Sequence, residues 1–178
     1  DPAHDAPMQP DSIFRIYSMT KPVVSVALMM LVEQGRLLLT QPASTWLPEF
    51  ASPQVLVDAD GEGRQVPATR PITVHDLLRH TAGLTYHFMG SAPIHQAYAS
   101  ARLFARGLTS ADFSRALAGL PLIAQPGACW AYSHATDVVG RIVEVVTGRT
   151  LGDYLRTEIF EPLGMVDTAF HVAPVAHH

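Results

Sequence analysis

The chain has 178 residues, which is long enough for one globular domain with a hydrophobic core, and its 48% hydrophobic and 16% charged residues are not those of a disordered protein. A net charge of −4 without any basic cluster excludes a typical nucleic-acid-binding surface. No apolar run approaches the ~20 residues that cross a bilayer, and the single cysteine excludes an intramolecular disulfide. No histidine pair has a metal-binding spacing, so we expect no metal and no cofactor.

The most apolar segment predicts a helix over about Ser18–Gln34, ended by Gly35. Pro22 falls in its first turn, where a missing N–H is tolerated. Its apolar residues occupy most faces, which predicts a central, buried helix. Ser18 and Lys21 are three residues apart and therefore share one face at the helix N terminus, with the positive end of the helix dipole beside them.

Lys21 is the only lysine in the chain, beside eleven arginines. An arginine stays protonated, whereas a lysine can be desolvated until its amine becomes a usable base. A serine beside such a base is the arrangement needed for covalent acyl transfer. The alternative is a helix-capping serine next to a solvated lysine, since Ser-x-x-Lys alone is a weak signal.

Shorter helices are predicted along the rest of the chain, with few strands. They cover Thr73–His80, Ile94–Phe104, Ser110–Leu117, Ala135–Val146 and Leu151–Phe160. Thr73-x-x-Asp76 and Thr150-x-x-Asp153 are capping patterns for the first and the last of them, and Ser110 is expected to cap the third.

The connecting segments carry turn residues. The glycines and aspartates within Val55–Val66 predict a short hairpin or a mobile loop, and Gln41–Phe50 has room for one helical turn. Residues 1–11 contain no basic segment followed by an apolar one, which favours a cytoplasmic location. A signal peptide upstream of this sequence would instead direct the protein to the periplasm.

Five segments stand out when they are read together. They are Ser18-Met19-Thr20-Lys21, the run His75–Leu84, Pro126-Gly127 with Tyr132-Ser133-His134, the run Asp137–Arg141, and Glu161-Pro162-Leu163-Gly164-Met165. In this order they resemble motifs of the serine β-lactamase and penicillin-recognising enzyme superfamily. The resemblance is strongest to its class C branch, which includes the family VIII carboxylesterases, and it spans the chain from Phe14 to Phe170.

This resemblance implies an α+β fold of the β-lactamase/transpeptidase type. Residues 1–178 would form a single partial domain, with the nucleophile helix at 14–35 and a mostly helical subdomain at 36–170. Relatives run to roughly twice this length, and their third motif, Lys/His/Trp-x-Gly on a strand, has no counterpart here. We therefore expect a fragment that contains little of the antiparallel sheet.

The resemblance also implies roles for individual residues. Ser18 would be the acylated nucleophile, with its N–H forming half of an oxyanion hole, and Lys21 a neutral or proton-shuttling amine. Tyr132 would be the general base, as a phenolate stabilised by the lysine. Trp130 is expected either to pack or to border the substrate pocket. His134 is expected either to cap a helix or to line that pocket, and it stands where lactam-hydrolysing relatives usually have Asn.

Three functions remain open. The first is a serine hydrolase that cleaves carboxylic esters through an acyl-serine, which the residue His134 favours. The second is a β-lactamase or D-alanyl carboxypeptidase, and the third is a non-catalytic helical module or inactive fragment. The expected partner is a small-molecule ester or amide. Without the sheet, the apolar nucleophile helix is also expected to lead to a homo-oligomer or to a second chain that completes the sheet.

Overall fold

The structure, a computed structural model, describes residues 7–9, 12–57 and 63–171. These residues contain six α-helices. They are α1 (Thr20–Glu33), α2 (Val74–Leu78), α3 (Pro93–Ser100), α4 (Ser110–Ala118), α5 (Ala135–Thr147) and α6 (Leu151–Leu155). Single 3-10 turns lie at Tyr17–Met19, Ala43–Thr45, Pro48–Phe50 and His87–Met89, and a π-helical turn at Arg156–Phe160 continues α6.

The only sheet of the described residues is a two-stranded antiparallel one, formed by β1 (Gln54–Leu56) and β2 (Gln65–Pro67). Val55 lies opposite Val66, so the predicted hairpin is present, while its tip at 58–62 lies outside the described residues. Leu122 extends this sheet, because its N–H and C=O bond to β1. The predicted fold class, mainly helical with little sheet, is confirmed.

Helix α1 is buried along one face only. Four residues on that face, Val24, Ala27, Leu28 and Leu31, are at most 4% exposed and pack in the core with α5 and α6. On the outer face, Val26 and Met29 are 52% and 38% exposed. The sequence predicted burial all round, and the structure corrects this, because no element of the described residues covers the outer face.

The segment that precedes α1 has large apolar side chains that are also exposed. They are Ile13, Phe14, Ile16, Tyr17 and Met19. We refer to these five residues, together with Val26 and Met29, as the outer apolar face.

Side-chain caps fix where the helices begin. Thr73 caps α2 in a full capping box with Asp76, as predicted. Helix α4 is capped by Thr109 rather than by Ser110, because the Thr109 hydroxyl accepts the Asp112 N–H at 3.1 Å while Asp112 accepts the Thr109 N–H. The Ser110 hydroxyl instead donates to Glu144 of α5.

The remaining helices differ from the prediction mainly at their ends. Helix α5 ends at Gly148, as expected, in the left-handed conformation with φ of +71°. Helix α3 stops four residues before the predicted Phe104 and is followed by Arg102 with φ of +47°. None of the helices in the described part of the chain is long and apolar enough to span a membrane.

Candidate active site

Ser18 lies in the 3-10 turn that leads directly into α1, one turn before Lys21. The predicted helix began at Ser18, whereas the α-helix begins at Thr20. The Lys21 ammonium donates a hydrogen bond to Ser18 Oγ at 3.1 Å. No backbone carbonyl of the described residues accepts a hydrogen bond from the Ser18 N–H.

Tyr132 reaches this turn from the loop that precedes α5. Its hydroxyl lies 2.6 Å from Ser18 Oγ, although the two residues are 114 positions apart. Lys21 Nζ lies 4.7 Å from the centroid of the Tyr132 ring. The three side chains that were predicted to be catalytic thus meet at one point.

The charges around Tyr132 favour the ionised form of its phenol. The Lys21 ammonium, and after it the Ser18 hydroxyl, hold the pKa of the Tyr132 phenol below its ordinary value. Desolvation acts to lower the pKa of Lys21, but Tyr132 and Tyr86 outweigh it and the pKa of Lys21 is raised. This direction favours the ammonium form of Lys21 over the neutral amine.

A second tyrosine, Tyr86, belongs to the site and was missed at the sequence level. Its ring centroid lies 5.5 Å from that of Tyr132 and 5.7 Å from Lys21 Nζ. Burial, followed by the nearby Asp137 carboxylate, raises the pKa of Tyr86, which is only 7% exposed. The environment therefore favours the neutral form of the Tyr86 phenol and the ionised form of the Tyr132 phenol. The feature of the sequence that could have indicated Tyr86 is its position two residues after Leu84, which ends one of the motif segments.

The loop that carries Tyr132 is attached to the segment after α2. The Gly127 N–H donates to Thr81 O at 2.7 Å, and the Ala131 N–H donates to His80 O at 2.8 Å. Gly127 has a φ of +86°, and a Cβ at this position would collide with the guanidinium of Arg70. Only glycine meets both requirements.

Below this attachment lies an ion pair between Arg70 and Asp76. The contact is bidentate, with distances of 2.6 and 2.9 Å, and Asp76 is 5% exposed. Asp76 also accepts hydrogen bonds from Thr73 and Thr81. Desolvation opposes ionisation of this carboxyl, but Arg70 and the threonines outweigh it and hold the pKa of Asp76 far below its ordinary value.

The two predicted substrate contacts lie in different surroundings. Trp130 is 66% exposed, and its ring lies 6.3 Å from that of Tyr132 at an interplanar angle of 22°. His134 is 1% exposed and lies 4.1 Å, ring to ring, behind Tyr86. Its Nδ1 contacts Asp137 Oδ2 at 3.1 Å. The structure therefore places His134 inside the fold rather than on the open surface, and its side chain does not cap α5.

A cleft of about 350 Å³ opens beside Lys21, between α1, α4 and α5. Its wall is mainly apolar, with Phe113 and Val24, and its charged residues include Asp137 and Arg141. Ser18 and Tyr132 are not among the residues that line it, so the cleft adjoins the candidate active site at Lys21 without including the serine or the phenol.

The arrangement contains several of the groups that acyl transfer through a serine uses. A hydroxyl nucleophile has a tyrosine of lowered pKa within hydrogen-bonding distance, and an ammonium group contacts the same oxygen. The Ser18 N–H, before the start of α1, can donate a hydrogen bond to an oxygen that develops negative charge.

Comparison with known proteins gives consistent results. A family model described as Beta-lactamase matches residues 1–178. The chain is 38% identical to Esterase EstB of Burkholderia gladioli, over 92% of this chain and 40% of the relative, and 35% identical to Lovastatin esterase of Penicillium rubens, over 93% and 41%. Among solved structures it resembles EstCE1, a hydrolase with promiscuous acyltransferase activity, with a TM-score of 0.80 and 34% identity over 98% of this chain and 44% of that one.

The chain spans about two fifths of the length of the curated relatives it matches. The match nevertheless covers nearly all of the chain and includes the segments that bring Ser18, Lys21 and Tyr132 together. The chain belongs to the Beta-lactamase family, within the superfamily of serine β-lactamases and penicillin-binding proteins.

Proposed function

We propose that the protein is a serine acyl hydrolase that cleaves carboxylic esters through an acyl-serine intermediate. The observation that carries this proposal is the 2.6 Å contact between Tyr132 Oη and Ser18 Oγ, with Lys21 Nζ 3.1 Å from the same serine oxygen. In this arrangement a nucleophile, a base and a cation would lie within reach of one substrate carbonyl, which supports the proposal.

The first step is acylation. When Tyr132 is ionised, the Ser18 hydroxyl donates its hydrogen bond to the phenolate, and Ser18 Oγ is free to attack the ester carbonyl carbon. The serine proton moves to Tyr132, while Lys21 keeps its charge beside the phenol. The tetrahedral intermediate then expels the alcohol, which takes the proton from Tyr132.

The second step returns the enzyme to its starting state. Water gives a proton to the Tyr132 phenolate and attacks the acyl carbon. The bond from that carbon to Ser18 Oγ then breaks, which releases the carboxylic acid, and Ser18 Oγ takes the proton from Tyr132. An alcohol that replaced water in this step would be acylated instead. The description of EstCE1 as a hydrolase with promiscuous acyltransferase activity supports testing this branch.

Two observations favour esters over β-lactams as substrates. His134 replaces the usual Asn of lactam-hydrolysing relatives, and its 1% exposure leaves it unable to contact a substrate side chain as an exposed amide could. The similarity to two proteins named as esterases points the same way. Of the two predicted substrate contacts, the exposed Trp130 is the one able to lie against an apolar part of the ester.

The test is covalent labelling of the serine. The chain is mixed with p-nitrophenyl acetate, the nitrophenol burst is recorded, and the acetylated peptide is identified by mass spectrometry. We expect one acetyl group on Ser18, which Ser18→Ala removes and the control Ser25→Ala in the same helix leaves in place. Failure of the wild type to acetylate at Ser18 would overturn the proposal for this chain in favour of the non-catalytic helical module or inactive fragment.

Benzylpenicillin separates the two enzymatic alternatives. A serine esterase with this site is expected to turn over p-nitrophenyl acetate and to leave the lactam intact. Hydrolysis of benzylpenicillin, or a stable penicilloyl adduct on Ser18, would instead favour the β-lactamase or carboxypeptidase.

A further inference from the structure

His80 has a backbone conformation that the rest of the fold must hold in place. Its φ is +55°, in the left-handed region that residues other than glycine rarely adopt. On the helix side, the His80 and Thr81 N–H groups close the end of α2 by bonding to Leu77 O and Asp76 O at 3.3 and 2.8 Å. On the other side, its carbonyl accepts the Ala131 N–H, next to Tyr132.

The imidazole ring of His80 contacts the same loop from a second direction. Its Nδ1 lies 3.2 Å from Ser133 Oγ, which in turn accepts the N–H of Ala135, the first residue of α5. The ring centroid lies 5.0 Å from that of Tyr132 and 6.3 Å from that of Trp130. One residue thus bonds to both chain neighbours of Tyr132 and also packs against its phenol ring.

We propose that His80 is a positioning residue that directs the Tyr132 hydroxyl at Ser18. A hydrogen bond to only one neighbour of Tyr132 would leave its backbone free to rotate. The His80 carbonyl bonds to Ala131 and the His80 ring to Ser133, so both neighbours are fixed. The contact between the His80 ring and the Tyr132 ring then favours one rotamer of the tyrosine. His80 touches neither the substrate nor Ser18 in this role. The proposal rests on the proposed function, in which Tyr132 is the base.

Electrostatics are consistent with a neutral imidazole. Burial, followed by the Lys21 charge, lowers the pKa of His80, while Asp137 opposes the shift. A neutral ring protonated at Nε2 accepts a hydrogen bond from the Ser133 hydroxyl at Nδ1, and Ser133 Oγ accepts the hydrogen bond from the Ala135 N–H. The two hydrogen bonds that connect His80 through Ser133 to the start of α5 therefore need no charged group.

The first experiment measures acetylation of Ser18 by p-nitrophenyl acetate in four proteins: wild type, His80→Gly, His80→Asn and His75→Ala. Glycine accepts the positive φ and keeps the backbone bonds, so His80→Gly removes only the ring. Asparagine also tolerates this φ, and its amide can reach Ser133. His75 lies exposed on α2 and has no side-chain contact with the site, so it serves as the matched control.

We expect His80→Gly to acetylate Ser18 about 10- to 100-fold more slowly, since displacing a reacting group by about 1 Å can cost 10²-fold. His80→Asn should recover most of the rate, and His75→Ala should match the wild type. A wild-type rate in His80→Gly would overturn the proposal. Equal impairment of His80→Gly and His80→Asn, with an equally lowered melting temperature, would also overturn it in favour of a purely structural role.

A second readout does not depend on catalysis. The chain has five tyrosines, so 13C-labelled tyrosine gives a small set of ring signals, and Tyr132→Phe assigns the signal of Tyr132. The charged groups that face this phenol are Lys21 on α1 and Asp137 on α5, with His80 and the neutral Tyr86 beside it. If the ring directs Tyr132, its titration in His80→Gly should move towards the ordinary pKa of about 10. An unchanged titration would refute the positioning role even in a chain that never acetylates, whereas failure of the proposed function alone would leave the shift intact.

Discussion

The two sides of the candidate active site are held in different ways. Tyr132 lies in a loop that is bonded through its backbone to His80 and Thr81, and this segment rests on the buried Asp76. Ser18 lies in a single 3-10 turn that forms part of the outer apolar face, between the exposed side chains of Tyr17 and Met19. The comparison indicates that backbone hydrogen bonds fix the loop of the proposed base, whereas the described contacts of the nucleophile turn are its continuation into α1 and the hydrogen bond from Tyr132 to Ser18.

The largest expected effect comes from removing the base. Tyr132→Phe keeps the ring but removes the hydroxyl, so acetylation of Ser18 should fall by about 10²–10⁴-fold. Because the pKa of Tyr132 is lowered and that of Lys21 is raised, the wild-type rate should rise with pH through the titration of Tyr132 and fall again only when Lys21 loses its proton. A stopped-flow pH profile measures both limbs.

The matched control is Tyr17→Phe. It removes a hydroxyl from the residue just before Ser18, where the side chain is 76% exposed and forms no hydrogen bond to the serine. Its rate should match the wild type. Equal losses in the two variants would show that the fragile turn, rather than the hydroxyl of Tyr132, limits acylation.

The two faces of α1 can be compared at neighbouring positions. Leu28 is fully buried, so Leu28→Ala should lower the free energy of unfolding by about 2–5 kcal/mol. Met29 lies on the outer apolar face, and Met29→Ala should change it by less than about 1 kcal/mol. Urea unfolding followed by circular dichroism measures both. Similar losses would mean that the outer face is covered in solution.

In the part of the fold that supports Tyr132, the ion pair between Arg70 and Asp76 is expected to contribute to the free energy of unfolding. Asp76→Asn leaves Arg70 without its carboxylate, and we expect a loss of about 2–3 kcal/mol, less than for a fully buried pair because Arg70 is 41% exposed. In the wild type, the lowered pKa of Asp76 means that its contribution is complete above the ordinary carboxyl pKa of about 4 and is lost as the pH falls below it.

Unfolding of both proteins between pH 7 and pH 2 tests this assignment. The difference between Asp76→Asn and the wild type should shrink as the pH falls. The control is Asp112→Asn in the exposed capping box of α4, which should cost far less at pH 7. A difference that stays constant with pH would contradict the role of the ion pair.

The smallest effect concerns association through the outer apolar face. Val26→Ser together with Met29→Gln should reduce dye binding and shift sedimentation towards the monomer, with little change in stability. The control is Leu163→Gln, because Leu163 is also an exposed apolar residue but lies far from α1 in sequence. A wild type that is already monomeric and binds little dye would refute the expected association.

The helices could be predicted from the sequence because their signals are local. Gly148 and the Thr73–Asp76 pair set the ends of α5 and α2 as expected. The cap of α4 could have been predicted as well, since Thr109-x-x-Asp112 repeats the pattern of Thr73-x-x-Asp76. The π-helical turn after α6 has no comparable local signal.

Contacts between distant segments could not be derived from the residues alone. The meeting of Ser18 with Tyr132 was expected only through the resemblance to a family. The burial of His134 behind Tyr86 depends on packing that no spacing encodes. The exposure of the outer apolar face was underestimated because an apolar pattern shows which faces avoid water, but not which of them find a partner.

Gly127 illustrates how such distant contacts would mislead a mutational screen. A side chain at this position must push against the Arg70 guanidinium, which the Asp76 carboxylate holds, and the strain would pass to the end of α2 and to His80. Random mutagenesis scored by esterase colour would therefore report position 127 as essential. This result would not indicate a role in substrate recognition, because the substitution would displace Arg70 and with it the support of the loop that carries Tyr132.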